Sequence, residues 1–231
     1  MLECQVWWAR LTDVRPWHTE LLNEVERGRR ERYLRPDDRD RFTLGAAVTR
    51  LAAGELLGVP PERVPLDRTC SGCGAPHGRP VIEGGPHLSV SHSGERVVVA
   101  LSGGGPVGVD VEELSDRLTD EIAAQVLDPE EAADLRGLGP QARRRGLLEY
   151  WTRKEAVVKA TGDGLRVPLA DLRVSAPDEH PRLRDWQGRA GMASRITMHA
   201  LEPGPGYAAC LALIDQPDAR VHERDAASLL A

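Results

Sequence analysis

Three consecutive stretches decide how this chain is read: Leu88-Ser-Val-Ser-His-Ser-Gly94, Val97-Val-Val-Ala-Leu101 and Gly108-Val-Asp-Val-Glu112. Alternating and β-branched residues predict a strand for each, with Ser93-Gly94 and Gly103-Gly-Gly-Pro106 as the turns. Residues two apart on a strand share a face, so Asp110 and Glu112 present paired carboxylates while Val109 and Val111 point the other way. Paired carboxylates on a rigid element suit a hard cation such as Mg2+. Ser91-His92-Ser93 closes the first strand with three groups that can hydrogen-bond phosphate oxygens. A metal ion beside an anion is the chemistry these stretches predict.

A fourth segment reads as returning to the same place. Trp151-Thr-Arg-Lys-Glu-Ala-Val-Val-Lys-Ala-Thr-Gly162 has the pattern of a helix stopped by glycine, and it sets Glu155 and Lys159 four apart on one face. Composition bounds what such a site can serve. The 231 residues can bury a real core in one large domain or two small ones. A net charge of -6 argues against a general nucleic-acid binder, so any anion site is local. No apolar run approaches a membrane span, and Met1-Leu-Glu-Cys-Gln-Val-Trp-Trp8 lacks the character of a signal peptide. A cytoplasmic protein without membrane or nucleic-acid partners is expected, and four scattered cysteines make no disulfide scaffold.

Upstream, Cys4 to Leu11 predicts an opening strand, and a helical pattern runs after Pro16 through Leu21, Leu22 and Val25 to Arg35. Arginines crowd the stretch from Arg27 to Arg41, interleaved with acids, and most read as a solvated helix face. Arg32 and Arg41 are set apart as candidates for phosphate, Arg41 because it is expected to open the next helix, Phe42 to Leu57. Cys70, Cys73 and His77 have the spacing of half a zinc site, and no second pair completes it. Gly78-Arg79-Pro80 holds a charge between two residues that constrain the backbone. Leu118, Ile122, Val126 and Leu127 form an apolar stripe, Asp128-Pro-Glu-Glu131 starts a helix, and residues 218–231 read as a loosely attached end.

Gly78-Arg-Pro80, Leu88 to Gly94, Gly108 to Glu112 and Trp151 to Gly162 occur in the order and approximate spacing of the 4'-phosphopantetheinyl transferases, and the chain resembles the larger, surfactin-synthetase-activating type. The resemblance implies an α/β (α+β) pseudo-dimer of two similar halves with the active site in the cleft between them. The halves would be 1–106, carrying nucleotide contacts, and 107–231, carrying metal and catalytic helix. The letters themselves show no repeat. The implied reaction is attack of an apo carrier-protein serine on the β-phosphate of coenzyme A. The phosphopantetheine arm moves to the serine, and adenosine 3',5'-bisphosphate leaves.

By the same resemblance Asp110, Glu112 and Glu155 hold Mg2+, or Mn2+ in its place. Asp110, Glu155 and Lys159 are catalytic, with Glu155 taking the serine proton directly or through water. Arg32, Arg41, Arg79, Ser91, His92, Lys154 and Lys159 contact coenzyme A, His92 at the 3'-phosphate. Arg79 stands where other members often have lysine, Phe42 where they have threonine with Thr43 beside it, and Asp163 where a basic residue is frequent. Leu118 with Arg117, and Arg143 to Arg145, are expected to meet acyl, peptidyl or aryl carriers, the enzyme itself being a monomer. Two other functions fit the same residues. A pyrophosphate hydrolase would use water as nucleophile, and a non-catalytic coenzyme A-binding module would not require the complete acidic and basic set.

Overall fold

The computed structural model describes residues 3–70, 72–76, 78–116 and 118–231, with backbone alone at Leu165. They form two compact units: Met1–Gly104 with Ala219–Ala231, and Gly105–Asp218. Each mixes helices with a sheet, so the architecture is α/β.

The first unit runs β1 (Glu3–Arg10), α1 (Glu24–Glu31), α2 (Pro36–Leu57), β2 (Leu66–Asp67), β3 (Val81–Ile82), β4 (His87–Ser93) and β5 (Arg96–Ser102). The second runs β6 (Val107–Glu113), α3 (Asp120–Val126), α4 (Pro129–Asp134), α5 (Pro140–Thr161), β7 (Leu172–Val174), β8 (Leu183–Trp186), α6 (Met192–Arg195), β9 (Ile196–Ala200) and β10 (Tyr207–Ile214). The final strand, β11 (Arg220–Asp225), belongs to the first unit. Sheet orders are β11-β1-β5-β4 and β6-β10-β9.

The strands read from alternation lie where expected, because Val97, Val98, Val99 and Ala100 on β5, and all of β10, are buried. Leu44, Ala47, Val48 and Ala52 on α2 pack with Val97, Val99 and Leu101, while Tyr150, Val157 and Ala160 on α5 pack with Cys210 and Ala212. Both helices start one turn or more before the expected position. Proline at the first helical place fixes φ and lacks only an N–H that would have no partner there, so Pro36 and Pro140 begin the helices although their first turns are polar. Arg41 is therefore well inside α2 and does not open it.

The two units repeat one plan that the letters conceal. A strand leads to a short helix, then a 22-residue helix, a small hairpin and two strands, giving the matching antiparallel orders β1-β5-β4 and β6-β10-β9. Each long helix ends on a left-handed glycine, Gly58 at φ 66° and Gly162 at φ 77°. Each short helix before it has a capping box, Asn23 with Glu26 and Asp128 with Glu131. The glutamate of each box forms a buried ion pair with the long helix, Glu26 with Arg50 and Glu131 with Lys154.

The C-terminal segment is not loose, and it does not join the second half as expected. β11 pairs in parallel with β1 from Glu3↔Arg220 to Trp8↔Asp225, and Ala226 and Leu230 are buried beyond it. His18, fully buried, fastens this end. Its Nδ1 accepts from the Arg15 N–H at 3.1 Å, which leaves Nε2 to donate to the Leu230 carbonyl at 3.4 Å. Burial lowers its proton affinity, in keeping with a neutral ring.

Candidate active site

Gly108 decides how the acidic strand meets its helix. The face of β6 bearing Gly108, Asp110 and Glu112 receives α5, and a Cβ on Gly108 would stand 2.0 Å from the Ala156 oxygen and 2.3 Å from the Ala160 nitrogen. Absence of a side chain is what permits that approach. Glu155 and Lys159, each one position before a contacting alanine, come down beside Asp110. Lys159 Nζ donates to Asp110 Oδ1 at 2.6 Å, Asp110 being 2% exposed. Burial first, and then the Asp110 charge, hold the Glu155 carboxyl above the usual carboxylate range, with Lys159 pulling the other way.

The structure thus joins Asp110, Glu155 and Lys159. Glu112 is partly buried on the same face of β6, opposite Ala208 of β10. Among the described residues no three of His, Cys, Asp and Glu gather as a group able to hold a metal ion. What is gathered is a buried carboxylate and a second whose charge the first opposes, a donor pair whose chemistry fits a hard divalent cation.

Lys154 departs from expectation. It is fully buried, with its ammonium on Glu131 and on the Val126 carbonyl at 2.7 Å, so it does not serve as a phosphate contact. The Glu131 signal was present in the sequence as the third helical position after Asp128, the mark of a capping box. Its partner on the long helix was not readable. Cys210, opposite Asp110 on β10, is a buried thiol pushed up to about 12, too weakly acidic for chemistry at neutral pH. Asp163 is gripped bidentately by Arg189, both bonds 2.7 Å, and Arg189 stacks on Trp186, which explains an acid in that turn.

The remaining candidates belong to the first unit. Ser91 is buried and His92 exposed near the end of β4. Arg41 donates to the Gly94 carbonyl and to Asp38, both at 2.6 Å, so part of its guanidinium holds the β4–β5 turn. Arg32 is exposed just after α1. Arg79 is exposed, and its charge lowers the proton affinity of His87 after burial has done so. Gly78 before it has backbone oxygens of Thr69 and Arg68 where a Cβ would be, at 2.8 and 3.0 Å. The Thr43 hydroxyl is consumed internally, accepting from Arg30 and donating to the Arg39 carbonyl, while Phe42 lies against Arg29 and Arg68.

In the second unit Leu118, Ala123, Leu135, Leu147, Arg143 and Arg144 border a cavity of about 360 Å³. Arg143 pairs with Asp120 and Arg144 with Asp116. Arg145 pairs with Glu149 along α5. Arg117 and His77 lie outside the described residues. Cys70 and Cys73 lie between β2 and β3, Cys70 half-buried and Cys73 exposed.

Comparison with known proteins agrees with this geometry. The family profile described as the 4'-phosphopantetheinyl transferase superfamily matches residues 106–212. The 4'-phosphopantetheinyl transferase HetI of Nostoc sp. is 30% identical over 69% of this chain and 67% of its own. A 4'-phosphopantetheinyl transferase of Bacillus subtilis is 28% identical over 68% of each chain. Sfp of Bacillus subtilis strain 168 is 27% identical over 62% and 63%. The chain spans about two thirds of the length of these relatives. With an acidic strand, a Glu-x-x-x-Lys helix face and relatives of this kind, the chain belongs to the 4'-phosphopantetheinyl transferase family of enzymes.

Proposed function

We propose that this protein moves the 4'-phosphopantetheine arm of coenzyme A to a serine of an apo carrier protein, in a Mg2+-dependent reaction that releases adenosine 3',5'-bisphosphate. The observation that carries this is the grouping of Asp110, Glu155 and Lys159 where α5 meets β6. Phosphoryl transfer of this kind needs positioning and charge neutralisation more than covalent help.

Asp110, Glu112 and Glu155 would hold the cation, which when bound supplies charge neutralisation at the diphosphate. Lys159, partly exposed while tied to Asp110, presents a positive charge to phosphate oxygens and offsets the negative charge growing on the leaving bisphosphate. Glu155 is the base for the serine hydroxyl. Ser91, His92 and Arg79 of the first unit are assigned to the nucleotide end, with Arg32 and Arg41 as further cations.

The apolar cavity beside Arg143 and Arg144 supports docking of an acidic, apolar carrier helix, which would exchange the internal Asp120 and Asp116 partners for its own acids. No helix among the described residues is long and apolar enough to cross a membrane. The protein is proposed to act as a monomer in the cytoplasm.

The test takes one tube: protein, coenzyme A, Mg2+ and an unmodified carrier protein, followed by intact mass spectrometry. A carrier that gains the phosphopantetheine mass is the expected result. Free 4'-phosphopantetheine with an unchanged carrier would identify a hydrolase instead, and no turnover across acyl, peptidyl and aryl carriers would refute transfer.

A further inference from the structure

We propose that Lys154 is a positioning residue, whose buried ion pair with Glu131 sets the register at which α5 presents Glu155 and Lys159 to Asp110. The inference rests on the transfer reaction proposed above.

Glu131 acts as a hub. Its Oε2 takes the Asp128 N–H at 2.9 Å and the Lys154 ammonium, and its Oε1 takes the Val174 N–H at 2.9 Å. One carboxylate therefore fixes the start of α4, strand β7 and the middle of α5. Lys154 adds a fourth element through the Val126 carbonyl at the end of α3. Lys154 and Glu155 are neighbours on the helix, so a slide or rotation that loosened the Lys154 anchor would move Glu155 with it. On the side facing β6, Ala156 and Ala160 meet Gly108 and supply no directional bond. Glycine against alanine limits how close the helix can come; the Lys154–Glu131 pair, together with Arg153 on the carbonyls of Ser175, Ala176, Pro177 and Glu179 and Lys159 on Asp110, limits how it can turn. Paired buried charges are a poor source of stability but a well-attested way to specify one register over others.

The first unit contains the control. Arg50 and Glu26 form the same buried pair, from the same capping-box position to the same place along the matching helix, in a unit whose helix carries neither Glu155 nor Lys159. A merely structural role predicts equal consequences in both units. A positioning role predicts that only one matters for turnover.

The experiment compares Lys154→Met/Glu131→Gln with Arg50→Met/Glu26→Gln in the full chain. Each double variant removes both charges of its pair; Arg68, 3.8 Å from Glu26, keeps the Phe42 ring as its neighbour. Thermal unfolding, coenzyme A binding by calorimetry and carrier modification are read on both. Displacement of a reacting group by about 1 Å costs on the order of 100-fold, so the Lys154 double variant is expected to lose about 100-fold in kcat. Its KM and coenzyme A affinity should stay within about threefold, and the Arg50 double variant should keep kcat within the same margin at a comparable unfolding temperature.

Glu131→Asp against Glu26→Asp is a milder arm should either double variant fail to fold. It keeps both charges and retracts the carboxylate by one methylene, and about a tenfold kcat loss confined to Glu131→Asp is expected. Equal kcat losses in the two units, or full kcat in both Glu131 variants, would overturn the positioning role. Wild-type protein that modifies no carrier would overturn the transfer reaction itself, before any variant is compared.

Discussion

The two units build the same frame, and only the second sets a carboxylate pair and a lysine on it, Asp110, Glu155 and Lys159. Counting from the first residue of matching elements, Val6 stands on β1 where Asp110 stands on β6, and Leu51 and Glu55 stand on α2 where Glu155 and Lys159 stand on α5. Val6 is fully buried and Leu51 packs against the core of its unit. The shared features are those that hold a long helix on a sheet: the proline start, the left-handed glycine stop, the capping box and the buried cation on its glutamate. The difference teaches that the frame does not need the acids. Asp110 and Glu155 are a burden on it, since like charges in a buried place repel. Their presence in one unit alone is why the proposed cation is assigned to that unit.

The largest expected effect tests this contrast directly. Glu155→Gln should lower carrier modification by about 1000-fold while coenzyme A still binds by calorimetry. Leu51→Met, at the matching place in the first unit, should leave turnover unchanged, and a comparable loss there would break the comparison.

Next come the glycines where helix meets sheet. Gly108→Ala drives a Cβ into helix backbone at 2.0 Å, which has no rotamer to relieve it, and should cost about 3 kcal/mol in urea unfolding together with most of the activity. In the first unit the glycine lies on the helix. A Cβ on Gly45 would meet side-chain methyls alone, Val90 at 3.1 Å and Val97 at 3.7 Å, so Gly45→Ala should stay within about 1 kcal/mol of neutral, helped by helix propensity. Similar costs at the two positions would show that the close approach on β6 is not special.

The units also differ in their need for the chain's last residues. Leu230→Ala should cost about 2–3 kcal/mol, as expected for a buried leucine, and hydrogen exchange should show β1 amides opening more readily while those of β10 keep their protection.

The smallest effect is a pH dependence of stability without metal. The folded-state affinity of Glu155 for a proton is raised above its unfolded value, so this residue favours folding below the unfolded pKa of about 4.3 and loses that contribution as pH rises through the folded value. Glu155→Gln should therefore raise the unfolding temperature slightly at pH 7 and not at pH 4. A lower temperature at pH 7 would mean that the bond to its surroundings outweighs burial and Asp110.

Much of this could be read in the letters, for identifiable reasons. The strands β4, β5 and β6 have alternating or β-branched runs bounded by turn residues, the pattern that favours a strand. Asp110, Glu155 and Lys159 follow from strand and helix periodicity once the segments are recognised. Lys154 misleads in the letters because sequence gives the face of a helix but not what packs on it, and a lysine beside Glu155 looks like a phosphate contact until its partner Glu131 is seen. Gly108 was quoted as part of a motif, yet its reason, a helix backbone within contact, exists only in three dimensions. The repeat escaped notice because it is carried by caps, turns and topology, while the residues at matching places are as different as leucine and glutamate. β11 was missed because its burial pattern is mostly exposed and only the parallel pairing with β1 reveals its place.

That pairing has a consequence for how the polypeptide matures on the ribosome. One unit is continuous from Gly105 to Asp218 and can complete its hydrogen-bond ladders as soon as that segment has emerged. The other contributes its opening strand first and receives that strand's parallel neighbour last, across more than a hundred intervening residues. Until residues 220–225 appear, one edge of β1 is an open template for other nascent chains, so the half synthesised earliest is the half that finishes folding latest.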